Sequence, residues 1–195
     1  MIGRHRVFLI TSHERLDGDA LGSELALFHM LRGLGKEVAI YNQDRTPENY
    51  LFLPGSDGIV RELPPLEPFE VAFILDCSEL DRIGKESASV ELIPNLVNID
   101  HHVSNGGFCD VRLIDPQASS TGELIFQLVR DMGLTMTGEM ATCLYTAILT
   151  DTVEQLMREL RDDREREILA LSLQGVRVPE ISRNVGLTER TVERV

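Results

Sequence analysis

Four apolar segments of this chain are each followed closely by aspartate or histidine, and this arrangement restricts the folds that the chain can adopt. The segments are residues 7–11, 71–75, 96–99 and 147–150, and the most apolar of them are typical of buried strands. Polar groups at strand ends form the reactive sites of α/β proteins. If the four ends converge, the chain contains a dinuclear metal centre. The side chains concerned are His13, Asp17, Asp19, Asp76, Asp100, His101, His102 and Asp151.

The alternation of strand and helix patterns predicts an α/β fold built on a parallel sheet with flanking helices. Residues 6–12 and 37–42 are predicted strands, and the segment from about Ala20 to Leu34, with leucines near helical spacing, is a predicted helix between them. A right-handed connection of this kind implies parallel strands. Further predicted strands are 58–62, 71–77, 95–101 and 110–114, and further predicted helices are 47–52, 121–132 and 138–151.

Composition excludes several classes of protein. With 43% hydrophobic and 26% charged residues, the chain is expected to be globular. We expect it in the cytoplasm and away from membranes, because no apolar run approaches the roughly 18 residues of a membrane span and residues 1–6 lead into a strand without a signal pattern. Three widely spaced cysteines favour neither a disulfide framework nor a cysteine-based zinc site. The net charge of −13 opposes binding of a long phosphate backbone, whereas a short phosphorylated substrate held on metal ions is compatible with it.

The spacing His13-x3-Asp17-x-Asp19 suits a tight loop that carries ligands for two metal ions. A dinuclear hydrolase holds its ions about 3.5–4 Å apart and needs a bridging carboxylate with aspartate and histidine around it. The loop could supply a ligand pair to one ion and a single carboxylate to the other. Gly18, between the two aspartates, is expected to let the loop bend.

The remaining ligands are predicted to come from later segments. Asp76 is the natural bridge, and His101 and Asp151 would complete the second ion. Mixed imidazole and carboxylate ligands suit manganese best, with magnesium or another first-row ion also open. Asp100 is better placed to fix the orientation of a histidine ring than to bind metal.

Residues 6–152 resemble the DHH phosphoesterase family. The resemblance lies in four motifs, which occur in the family's order: His13-x3-Asp17-Gly18-Asp19-Ala20-x-Gly22-Ser23, Leu75-Asp76-Cys77-Ser78, Asp100-His101-His102 and Thr150-Asp151-Thr152. Residues 103–105 and 115–123 are similar to the branch that contains oligoribonucleases, phosphoadenosine-phosphate phosphatases and cyclic-dinucleotide phosphodiesterases.

This resemblance implies an enzyme that uses two divalent ions, manganese above all, for in-line attack of water on phosphorus. The ligands of one ion would be His13, Asp17 and Asp76. The ligands of the other would be Asp19, Asp76, His101 and Asp151. His102 would contact the scissile phosphate, and Asp100 would act with it as a catalytic residue. The expected substrate-binding residues are Ser104, Asn105, Ser120 and Thr121.

The composition changes after Thr152, which predicts one domain of residues 1–152 and a helical segment of residues 153–195. Members of this family branch continue into a second domain with a glycine-rich, histidine-containing loop, and nothing similar follows Thr152. Residues 164–195 instead resemble the helix-turn-helix of response regulators and sigma-factor tails, with a turn at Gly186-Leu187 and a short recognition helix that runs to Val195.

The charge of this segment leaves two interpretations open. Residues 153–195 contain eight arginines and nine acidic residues, so DNA contact and a packing or dimerising role, for example in a homodimer, are about equally favoured. The candidate DNA-binding residues are Arg183, Thr188, Arg190, Thr191 and Arg194.

Three functions are consistent with these patterns. The first is a manganese-dependent phosphoesterase that hydrolyses short oligonucleotides, linear or cyclic dinucleotides, or a nucleoside 3′,5′-bisphosphate. The second is a transcriptional regulator whose metal site senses a nucleotide and whose C-terminal helices bind DNA. The third is a truncated family member that keeps its metal site but has little activity. The ligand motifs favour retained metal binding, and the missing second domain argues against full activity.

Overall fold

The computed structural model describes residues 1–109, 111–160 and 162–194, which form two compact units. The first unit comprises Met1–Asp151, and the second begins at Thr152. The division falls within one long helix, a residue before the boundary predicted from composition. The assignment of the two segments as separate domains stays a prediction.

A five-stranded parallel sheet forms the centre of the first unit. Its strands are β1 Val7–Thr11, β2 Glu37–Ile40, β3 Val71–Leu75, β4 Leu96–Asp100 and β5 Val111–Ile114, in the order β2-β1-β3-β4-β5. The chain leaves β1 toward one edge of the sheet and returns to the other side for β3. The carboxyl ends of β1 and β3 therefore border the crevice where α/β proteins bind ligands.

The predicted α/β class is confirmed, but one predicted strand is wrong. Residues 58–62 contribute only an isolated bridge between Tyr41 and Val60. Proline and glycine on both sides leave too short an extended stretch for a ladder. Asp110, the predicted first residue of β5, lies outside the described residues.

Four helices accompany the sheet: α1 Gly18–Gly33, α2 Ser87–Val90, α3 Thr121–Asp131 and α4 Gly138–Glu159. Single turns of 3-10 helix occur at Glu48–Tyr50, Ser56–Gly58 and Leu80–Ile83. The predicted end of α4 at Asp151 is wrong, because the helix continues to Glu159. None of the helices in the described ranges is both long enough and apolar enough to cross a membrane.

Side-chain caps determine where α1 and α3 begin. An Asp17 oxygen accepts the Ala20 N–H at 2.9 Å, and the Ser120 hydroxyl accepts the Glu123 N–H at 3.1 Å. The carboxylate of Glu123 accepts the N–H and the hydroxyl of Ser119, both at 2.8 Å. The predicted capping box at Ser120 is therefore present, with its return bond one residue earlier.

The core lies on both faces of the sheet. Phe8, Ile10 and Phe73 belong to the cluster that includes α1, α3 and α4, whereas Leu9 and Ile74 belong to the cluster on the opposite face. Strands buried on both faces need uninterrupted apolar sequences, which explains the apolar runs at β1 and β3.

The second unit contains three helices of its own, α5 Asp163–Leu173, α6 Val178–Val185 and α7 Glu189–Val192. They enclose a small core of Ile168, Ile181, Val185 and Val192. Gly186, with φ +67°, ends α6, and Thr188 caps the four-residue α7. The helix-turn-helix assignment stays a prediction, and Val195, its predicted last residue, lies outside the described part of the chain.

Candidate metal centre

Acidic and imidazole side chains from five segments meet at the crevice beyond β1 and β3. His13 follows β1, Asp76 follows β3 and His101 follows β4. Asp19 lies in the first turn of α1, and Asp151 lies within α4 rather than at a strand or helix end. Three overlapping sets within the described residues bring one ligand atom per residue to within 4.8 Å of one another. The sets are His13, Asp17 and Asp76; Asp19, His101 and Asp151; and Asp76, His101 and His102.

Asp76 lies between the histidines, and its two carboxylate oxygens face different partners. Oδ2 is 3.3 Å from Nε2 of His13, whereas Oδ1 is 3.7 Å from Nε2 of His101 and 3.5 Å from Nδ1 of His102. Ligand atoms that share an ion at about 2.1 Å are about 3 Å apart at octahedral angles. The observed spacings are close to this value, so the donor set fits two adjacent divalent ions with Asp76 between them.

Backbone carbonyl groups determine which nitrogen His13 and His101 present to the carboxylates. Nδ1 of His13 lies 2.7 Å from the carbonyl oxygen of Glu14, and Nδ1 of His101 lies 3.3 Å from that of Ala118. When Nδ1 carries the proton and donates to a carbonyl, Nε2 is free to bind a metal ion. In both residues Nε2 faces the carboxylates, at 3.6 Å from Asp17 and 3.4 Å from Asp151, respectively.

The carboxylate of Asp19 lies at the N-terminus of α3. It accepts the N–H groups of Thr121 and Gly122 at 2.7 and 2.9 Å, and the hydroxyl of Ser23 at 3.1 Å. The orphan amides of a helix N-terminus suit an anion. Helix α3 therefore fixes the orientation of a carboxylate that lies 3.7 Å from His101 Nε2.

Burial and neighbouring groups shift the pKa values of Asp19 and His13. Burial, together with the nearby charge of Asp76, raises the pKa of Asp19 well above its usual value. Burial alone would lower the pKa of His13, but its bonds to Asp17 and Asp76 raise that pKa to about 10. Cations would relieve the repulsion among the carboxylates, which is the physical reason that such a cluster attracts metal ions.

His102 lies beside the cluster with a different partner. Its Nδ1 atom lies 2.7 Å from a carboxylate oxygen of Asp100, which is fully buried. The bond to Asp100 raises the pKa of His102, and the side-chain amide of Asn105 donates to the other Asp100 oxygen at 2.6 Å. With Nδ1 engaged, Nε2 is the nitrogen of His102 that a ligand can reach. Asp100 thus orients a histidine ring in the structure.

The residues predicted to bind substrate occupy different environments. Ser104 is exposed, whereas Ser120 and Thr121 are fully buried. The Thr121 hydroxyl donates to Asp76 Oδ1 at 3.1 Å, and the Asn105 amide also bonds to Asn98 and to Cys77 O. Direct substrate contact by these four residues stays a prediction. In the structure Asn105, Ser120 and Thr121 support the carboxylates and the start of α3.

The expected role of Gly18 is corrected by the structure. Gly18 is the first residue of α1 and does not have a positive φ, so it provides no special bend. A Cβ at this position would instead lie 2.8 Å from Cβ of Thr150, next to Asp151. Gly18 therefore permits α1 and α4 to approach each other.

Sequence reasoning missed Glu24, a fully buried carboxyl group on α1. Its Oε2 atom accepts the side-chain amide of Asn42 at 2.7 Å, and an Asn42 oxygen accepts the Ser12 N–H at 3.3 Å, one residue before His13. Burial raises the pKa of Glu24 to about 8 despite this bond. A glutamate within an apolar helical pattern, five residues after Asp19, was the available signal.

The stability of the metal-free chain should depend on pH through Glu24. Its pKa in the folded state exceeds the ordinary 4.5, so its contribution is complete below that value and is lost as pH rises through about 8. Glu24→Gln, which stays neutral, should match wild type at acidic pH and exceed its free energy of unfolding by on the order of a few kcal/mol at alkaline pH. Urea unfolding across this range measures the difference. The exposed control Glu91→Gln should follow wild type, and parallel curves for Glu24→Gln and wild type would refute the prediction.

Comparison with known proteins agrees with this geometry. The chain is similar to the bifunctional oligoribonuclease and PAP phosphatase NrnA of Thermus thermophilus, at 34% identity over 73% of this chain and 42% of that protein. It is 27% identical to the NrnA protein of Bacillus subtilis, over 77% of this chain and 48% of that protein. The chain thus spans about half the length of these relatives.

A solved structure extends the similarity to the fold. The crystal structure of an exopolyphosphatase-related protein from Bacteroides fragilis superposes with a TM-score of 0.73 at 30% identity, over 94% of this chain and 57% of that one. The family model described as DHH family, N-terminal domain, matches residues 7–148, which include all the candidate ligands except Asp151. With three quarters of its length matched by that model, and with aspartates and histidines gathered at the ends of β1, β3 and β4, this chain belongs to the DHH family.

Proposed function

We propose that this chain is a phosphoesterase that hydrolyses short phosphorylated nucleotides with two divalent ions, of which manganese fits the ligands best. The observation that carries the proposal is the position of Asp76, whose two oxygens lie near His13 on one side and near His101 and His102 on the other. One set of ligands would be His13, Asp17 and Asp76, and the other Asp19, Asp76, His101 and Asp151. The names of the relatives support oligoribonucleotides and the nucleoside 3′,5′-bisphosphate PAP as substrates. Dinucleotides are an expectation from the sequence.

Bound ions would stabilise charge on the phosphoryl oxygens and make water nucleophilic. The chain's own residues orient the reacting groups. Nε2 of His102 would donate to a phosphoryl oxygen, and Asp100 favours the charged form of that ring through the bond at Nδ1. The Asp19 carboxylate is held by α3 and the Asp76 carboxylate by Thr121, so neither has to reorganise during the reaction.

The first test measures release of mononucleotide or phosphate from a diadenylate and from adenosine 3′,5′-bisphosphate with manganese. Wild type should turn over at least one of them, and His101→Ala should reduce the rate by at least about 100-fold, because it removes a ligand between three carboxylates. His5→Ala, outside the cluster, is the matched control and should retain the rate. Equal rates for His101→Ala and wild type, or no turnover by wild type, would contradict the proposal.

Roles for the second unit stay predictions. Thr188 and Thr191 hydrogen-bond to each other at 2.9 Å, and Arg183 Nε donates to Pro179 O at 3.2 Å. Contact with DNA through these residues, Arg190 and Arg194, and a homodimer, are hypotheses from the sequence. We also propose a cytoplasmic location, which suits the three buried cysteines.

A further inference from the structure

Arg82 is a half-buried cation beside the candidate metal centre, and the metal ligands do not use it. It lies in the 3-10 turn Leu80–Ile83, six residues after Asp76. Its backbone carbonyl accepts the Glu14 N–H at 2.8 Å, which joins this turn to the loop that carries His13. The backbone of Arg82 is therefore held against one of the segments that build the centre.

The charge of Arg82 acts on the groups at the edge of the centre. The Asp100 hydrogen bond raises the pKa of His102, whereas the positive charge of Arg82 opposes this rise. Burial raises the pKa of the Cys77 thiol, and the charge of Arg82 again acts in the opposite direction. The backbone geometry places Arg82 at the same edge, because Glu14, whose N–H bonds to the Arg82 carbonyl, has its own carbonyl oxygen 2.7 Å from Nδ1 of His13.

The guanidinium of Arg82 has no bonded protein group in the part of the chain that the structure describes. In the described residues it forms no hydrogen bond or ion pair, although the chain contains 32 acidic residues against 19 basic ones. A partly buried arginine is normally paired with an anion. Its planar fork of N–H donors matches the oxygens of a phosphate group.

We propose that Arg82 binds a phosphate oxygen of the substrate at the edge of the Asp76 centre, beside His102. The inference rests on the proposed function and adds to it a second cationic contact that comes from the protein itself. Arg82 and His102 together would hold a phosphoryl group against the carboxylate cluster, which on its own would repel an anion. A chain of net charge −13 needs such a local concentration of positive charge to bind a nucleotide.

Binding of adenosine 5′-monophosphate to the full manganese-loaded chain tests the proposal directly by calorimetry. Arg82→Gln should weaken this binding by about 10- to 100-fold, the range for a charge-assisted hydrogen bond, and leave the manganese stoichiometry unchanged. Arg82→Lys should restore part of the affinity, because it keeps the charge but not the fork. Arg61→Gln, an exposed arginine in a loop, is the matched control and should bind as wild type does.

Two results would overturn the proposal. One is equal affinity for the mononucleotide in Arg82→Gln and wild type, including no binding by either. The other is loss of manganese together with the mononucleotide, which would assign Arg82 a structural role. Tight, Arg82-dependent binding without turnover of any substrate would support Arg82 while refuting the proposed function. Turnover with the same KM in Arg82→Gln and wild type would support the proposed function while refuting the role of Arg82.

Discussion

Asp76→Asn should lose both metal ions, and this is the largest change that we expect from one substitution. Each Asp76 oxygen faces a different ligand group, and asparagine replaces one oxygen with an N–H donor that cannot bind a cation. The affinity for each ion should fall by more than about 100-fold, a loss beyond that seen when only an outer-shell partner of a ligand is removed. Equilibrium dialysis with manganese, followed by elemental analysis, gives the number of ions per chain.

Asparagine is preferable to alanine in this test because of the backbone. Asp76 has φ +53°, a left-handed conformation that asparagine tolerates and that costs alanine roughly 1 kcal/mol or more. Asp81→Asn, a neighbouring exposed carboxylate, is the matched control and should retain both ions. Asp151→Asn should lose one ion, because Asp151 belongs to only one ligand set. Two ions bound to Asp76→Asn would remove Asp76 as the bridge.

Gly122→Ala should both destabilise the chain and weaken the site that contains Asp151. A Cβ at Gly122 would lie 2.5 Å from Cβ of Ala147 on α4, four residues before Asp151. Overpacking of this kind costs about 1–3 kcal/mol. The contact between Gly122 on α3 and Ala147 on α4 also determines how close α4 lies to Asp19. Separation of α3 and α4 should therefore reduce the bound manganese from two ions per chain to one. Urea unfolding and dialysis measure the two effects.

A compensating substitution distinguishes a lost approach of α3 and α4 from general destabilisation of the fold. Ala147→Gly removes the methyl group that the new Cβ meets, so the double variant with Gly122→Ala should recover the second ion and part of the stability. The same change should not rescue Gly22→Ala, whose Cβ would also meet the carbonyl oxygen of Cys143, a backbone atom that no substitution removes. Gly33→Ala, with open space around it, is the control and should be neutral or stabilising by up to about 1 kcal/mol. Failure of Ala147→Gly to restore the second ion would contradict this account.

The positions of the strands along the chain and the start of each motif could be predicted from sequence because their signals are local. Strands buried on both faces need continuous apolar runs, which β1 and β3 show, and a serine three residues before a glutamate is enough to identify the start of α3. The histidine and aspartate ligands follow those strands within a few residues. Parallel strands then bring their ends together, so the sequence also predicted a site beyond β1, β3 and β4.

The part of the metal centre that helices α1, α3 and α4 form depends on contacts between residues far apart in the chain. Asp19 accepts the N–H of Thr121, 102 residues later, and nothing in the local pattern of either segment indicates that bond. Substrate contact by residues 120 and 121, which the resemblance implied, stays a prediction, and only the structure shows that both side chains are buried.

By itself, the sequence determined the parallel α/β fold, the identity of the ligand-type residues and the family, because apolar periodicity and motif order are properties of the chain. Only the tertiary structure decided which oxygen of Asp76 faces which histidine, that Asp151 is presented by the middle of α4, and that Gly18, Gly22 and Gly122 let that helix approach. The burial of Glu24, and an Arg82 guanidinium without a partner among the described residues, also appear only there. Burial, close approach and charge pairing arise when distant segments pack, and no single segment contains that information.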